Sequence, residues 1–113
     1  MLYYKLIGRL AVPCDTVEWA QWFETADRRV SETNVGPLWV STVFLGLNHN
    51  FRGGDPLLFE TMVFGSDPEH DMCESYCDRY HTWDEAERGH AKAVEWAKGQ
   101  VETAGLLLGE ARC

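Results

Sequence analysis

Residues 40–64, VSTVFLGLNHNFRGGDPLLFETMVF, read as two apolar runs around a polar centre. Successive strand residues point to opposite faces of a sheet. Leu38 to Leu47 therefore predicts a strand with Trp39, Ser41, Val43, Leu45 and Leu47 on one side, and Val40, Thr42, Phe44 and Gly46 on the other. Leu57 to Phe64 predicts its antiparallel partner, joined to it by a loop over residues 48–56 that is longer than a tight hairpin connection.

The pattern changes period elsewhere. Residues 2–12, LYYKLIGRLAV, predict a first strand that Pro13 ends. Asp15 stands three residues before Glu18, a capping-box spacing that starts a helix. In that helix Trp19, Trp22, Phe23 and Ala26 form an apolar stripe that needs a sheet or a partner to cover it. Arg29–Thr33 predicts a short strand, and Asn34-Val35-Gly36-Pro37 a turn. Asp67-Pro68 predicts the start of a short helix over 68–79. Thr82 and Glu85 make a second capping box, followed by a helix to about Ala104 whose stripe is Trp83, Ala86, His90, Val94, Ala97 and Val101. Gly89 lowers helix stability by about 1 kcal/mol, which fits a close approach of that helix to the sheet. The order β-α-(β)-β-β-α-α predicts one α+β domain over 1–113: a small antiparallel sheet with a central long-loop hairpin and helices on one face. The other face must then be solvated or buried in an oligomer, so a homodimer through the sheet or its edge is expected, with Trp39 a candidate contact.

Composition narrows the classes. The chain has 113 residues, 45% apolar and five of them Trp, which supplies a core rather than a disordered tail. Its formal charge of −8 argues against duplex nucleic-acid binding, which needs a basic footprint. An acidic chain can instead meet a basic partner surface or mimic the charge of nucleic acid; ordinary solubility explains the same charge. No apolar run reaches membrane-spanning length and the first residues do not read as a secretion signal, so a cytoplasmic location is expected.

Two clusters carry candidate chemistry. His70, Cys73, Cys77 and His81 are residues that zinc favours, but on a single helix the outer two lie roughly 16 Å apart, too far for one ion. Buried thiols on a helix face are the simpler reading, and neither metal nor cofactor is expected. The second cluster belongs to the hairpin. His49 and Arg52 flank Gly53 and Gly54, whose backbone N–H groups can cradle an anion. Arg28 and Arg29 add a nearby positive patch, and Glu60, in an apolar strand, faces water, pairs across the sheet or lines a site. Arg28, Arg29, His49, Arg52 and Glu60 are the candidate ligand-binding set; an ordinary solvated loop is the alternative. His90 lies in an apolar helical stripe, where a satisfied core histidine is the commoner role. No nucleophile elbow, phosphate loop or H-E-x-x-H motif is present, and no catalytic residue is assigned.

RRV at 28–30, VSTVFLGLNH at 40–49, PLLFETMVF at 56–64 and RYHTWDEAERGH at 79–90 together resemble a family of small, uncharacterised proteins encoded by bacteriophages and prophages. The resemblance implies a phage accessory protein acting in the host cytoplasm. Such proteins often act against host defence, by blocking a defence complex such as a CRISPR effector or by sequestering its nucleotide signal. The first version uses the acidic, aromatic surface; the second needs Arg28, Arg29, His49 and Arg52 to hold phosphates. A small hydrolase using His49 and Glu60, metal-assisted or not, and an accessory domain with a purely structural or regulatory role are the competing readings.

Overall fold

A computed structural model describes residues 2–65 and 76–108. A hairpin of β1 (Tyr4–Ile7) and β2 (Leu10–Pro13) precedes helix α1 (Thr16–Thr25). Strands β3 (Arg29–Val35), β4 (Leu38–Phe44), β5 (Phe59–Gly65) and β6 (Cys77–Tyr80) pair antiparallel in the order β3-β4-β5-β6. Helix α2 (Trp83–Leu108) packs on this sheet. The fold is α+β, with the expected central hairpin and the helices on its inner face.

Register separates the two faces of the sheet. Val40 pairs with Val63, Thr42 with Thr61 and Phe44 with Phe59, and all six are buried under α2. The alternation expected for β4 is the one observed, because only one of its faces meets apolar cover. The core divides into two patches. Leu38, Val40 and Val63 pack on Ala93 and Ala97, while Phe44, Leu58, Phe59 and Tyr80 pack on Ala86. Small residues on α2 let helix and sheet approach closely. The extreme case is Gly89, where a Cβ would lie 2.1 Å from Cζ of Tyr80, so the tyrosine ring lies against bare helix backbone. This is the close approach that the glycine suggested.

The Asp15 carboxylate accepts from the Glu18 N–H at 2.8 Å and starts α1. Its aromatic stripe is covered by the end of the sheet. Trp22 meets Phe44 edge-on at 5.7 Å, and Trp19 lies between Tyr3 and Phe23. Gly46, at φ +79, sits under the Trp19 indole, where a side chain would come within 2.8 Å of Nε1.

Two expectations are corrected. The single strand over 2–12 is a hairpin, because Gly8, at φ +64, turns the chain and Ile7 pairs with Leu10. The helix expected over 68–79 does not include its last residues. Cys77–Tyr80 form β6, satisfying the outer edge of β5 with Glu60 opposite Arg79 and Phe59 opposite Tyr80. That long-range pairing overrides a weak local helical pattern. Tyr76 is not helical either, and residues 68–75 of that expected helix lie outside the described residues.

Candidate interaction surface

The outer face of the four-stranded sheet is built from three rows that follow from its register. Asn34, Trp39 and Phe64 form the first, and Glu32, Ser41, Met62 and Cys77 the second. Arg29, Val43, Glu60 and Arg79 form the third. Trp39 is 40% exposed and stacks on Phe64 with ring centres 5.2 Å apart. The charged side chains on this face are engaged with other protein groups. Arg79 donates to Glu60 at 2.9 Å, and the Cys77 thiol approaches the same carboxylate at 3.5 Å. Partial burial and the Glu60 charge push the Cys77 thiol up. Arg29 reaches both Asp27, at 3.3 Å, and Glu32, at 3.5 Å.

The candidate ligand set is distributed over this fold. Arg29 and Glu60 share the third row of the outer face. Arg28 lies near the end of β4, where its guanidinium donates to the Phe44 carbonyl at 3.1 Å and stacks on Phe23 at 4.1 Å. Both contacts stabilise the chain's own structure. His49 lies at the base of the 45–58 connection, with Nδ1 2.9 Å from the Leu47 carbonyl oxygen. Its N–H donates to the carbonyl of Leu57, three residues before Glu60, roughly 10 Å along a strand. Arg52 is exposed at the loop tip. The amides near it serve the loop itself. Asn48 Oδ1 accepts from the N–H groups of Asn50 and Leu57, and Asn50 Oδ1 accepts from that of Arg52. The asparagines that order this loop were a signal the sequence carried, beside its glycines.

The cysteine-histidine cluster is only partly within the described residues, since His70 and Cys73 lie outside them. Cys77 is on β6, and Nδ1 of His81 is 2.9 Å from the Pro56 carbonyl oxygen. Among the described residues no group of three or more metal-ligating side chains converges.

The most connected buried polar group is one that sequence reasoning placed in the core. His90 is 2.8 Å from Thr33 through Nε2 and 2.8 Å from Thr42 through Nδ1, and Thr42 bonds in turn to Thr61. This chain lies between the two apolar patches and fastens α2 to β3, β4 and β5. Burial holds the imidazole below its usual titration range. Tyr80 lies against Gly89, the residue before His90, its hydroxyl buried without a well-aligned partner among the described residues. Burial pushes that hydroxyl up to about 12, with Thr61 pulling the other way. The arrangement holds secondary structure together and presents no exposed nucleophile.

Two further surface features stand out. Asp15, Glu18, Glu24 and Asp27 are all exposed along α1 and its flanks, and residues 15–27 contain no Lys, Arg or His, although Lys5 pairs with Glu18 and Arg29 with Asp27 from outside that segment. A shallow depression of about 380 Å³ lies between Ile7, Arg9, Leu10, Thr82, Trp83 and Asp84, away from the candidate set. Among the described residues no helix is long and apolar enough to cross a membrane. No family model, curated protein or solved structure matches the chain.

Proposed function

We propose that this is a non-enzymatic phage accessory protein that acts against host defence by binding a protein complex, such as a CRISPR-type effector. The phage origin rests on the sequence resemblance. The observation that carries the binding mode is the acidic ridge of α1: its four exposed carboxylates over residues 15–27 outnumber the two cations, Lys5 and Arg29, that pair with Glu18 and Asp27. Such a ridge suits a basic surface of the kind that otherwise holds nucleic acid, because like it the ridge offers a row of negative charge. The nucleotide-sequestering version has less support. Arg28 and Arg29 are engaged with a backbone carbonyl and two carboxylates, and no contact gathers them with His49 and Arg52 around one space.

The test is phage plating on a host with an active defence system that expresses the protein. The intact chain should restore plaque formation. A Gln21→Lys, Glu24→Lys double variant alters the exposed ridge without touching the Asp15 cap, and should lose that activity while keeping its circular dichroism. Unchanged protection by the variant would sink the acidic-ridge mode. Loss of protection on changing Arg28, Arg29 and Arg52 together, with folding intact, would move the reading to nucleotide capture.

A further inference from the structure

We infer that the outer face of the four-stranded sheet is a self-association surface, through which two copies meet to form a helix–sheet–sheet–helix sandwich. The inference is independent of the defence reading. Its first support is charge. The three rows of the face hold two arginines, Arg29 and Arg79, and two glutamates, Glu32 and Glu60, so the face is balanced while the chain carries −8. Both glutamates are already within reach of an arginine on the same face, Glu60 at 2.9 Å and Glu32 at 3.5 Å. Covering the face with an identical one therefore brings together no net charge and strands no carboxylate, which contact through the acidic ridge of α1 would do.

Composition is the second support. Trp39, Phe64, Met62 and Val43 run across the face, with the charged pairs toward its end and edges. An aromatic and Met centre with a polar rim is the make-up of a protein interface. Two such faces stack about 10 Å apart, as sheets do in sandwiches. Other occupants fit less well. A nucleic-acid strand stacking on Trp39 and Phe64 would need arginines available for phosphate, and Arg29 and Arg79 are held by carboxylates. A basic protein finds no net negative charge on this face to attract it.

Area sets the strength. Three strands about 23 Å long and β6 about 13 Å long, spaced about 4.8 Å, give a face of roughly 400 Å², against about 800 Å² per partner in a standard stable interface. The dimer should therefore be weak and in rapid exchange, populated at high concentration and dissociated when dilute.

Sedimentation velocity of the full chain, from about 5 μM to about 1 mM at moderate salt, tests this in the range where a small interface exchanges. The weight-average sedimentation coefficient should climb from the monomer value toward the dimer value. Trp39→Glu should hold it at the monomer value throughout, with unchanged far-ultraviolet circular dichroism. Val43→Lys, from the centre of the third row, should do the same and serves if Trp39→Glu does not fold. A wild-type chain monomeric at the highest concentration would overturn the inference. So would variants that associate as strongly as wild type, or a face that binds a fluorescent single-stranded oligonucleotide instead of a second copy.

Discussion

Replacing Gly89 by alanine places a methyl group 2.1 Å from Cζ and 2.2 Å from the hydroxyl oxygen of Tyr80. At an ordinary helix position the same change adds about 1 kcal/mol of stability, because glycine loses more backbone freedom on folding. Here the overlap must be relieved. Tyr80 is only 9% exposed and packs with Phe44, Leu58, Phe59 and Ala86, so its ring has little room to swing aside. Lifting α2 instead would stretch the His90 contacts to Thr33 and Thr42, both 2.8 Å long. Overpacking of this kind costs about 1–3 kcal/mol. Set against the propensity gain, Gly89→Ala should leave the protein about 0–2 kcal/mol less stable, lowering Tm by up to several degrees. Urea and thermal denaturation followed by circular dichroism measure it. The same substitution in a Tyr80→Leu background separates the causes, since leucine lacks the ring and hydroxyl. There Gly89→Ala should be neutral or stabilising, giving a coupling of about 2 kcal/mol. If Gly89→Ala alone raises Tm, the ring does not lie on the helix backbone as described.

Other substitutions test the remaining links. Burial holds the His90 pKa below the ordinary histidine value of about 6.5, so the unfolded chain binds more protons just below that pH. The His90 contribution should therefore be complete above about pH 6.5 and decline as pH falls through it, levelling off below the folded-state pKa. Urea denaturation between about pH 5 and 8 should show a flatter slope in His90→Gln, and an identical slope would refute the linkage. Thr82 Oγ1 accepts from the Glu85 N–H at 3.2 Å, so Thr82→Ala should lower stability by about 1 kcal/mol in the same assay, where no loss would remove its capping role. The Glu60–Arg79 pair lies on a partly open face, its side chains 13% and 41% exposed, and a double-mutant cycle should give a coupling below about 1 kcal/mol. A much larger coupling would mean that the face is already covered.

The sequence by itself determined the features whose cause is local. Alternation over 38–44 put Val40, Thr42 and Phe44 on one face because a strand has a period of two, whatever it packs against. Asp15 and Thr82 marked helix starts because a cap acts within one turn. Gly89 marked close approach because a missing side chain offsets a poor helix former beside an apolar stripe. Only the tertiary structure decided the features that depend on two distant segments meeting. Four residues of β6 hold too few periods to read, and they become a strand because β5 offers an open edge. The partner of Glu60 is Arg79, nineteen residues away, and it follows from register rather than from any spacing in the chain. Register likewise aligned Arg29 with Val43 and Glu60, while it was the β4 end and α1 together that drew Arg28 onto Phe23 and the Phe44 carbonyl. Residue types suggest which groups can bind a ligand, but the free energy of long-range packing decides which of them face one another.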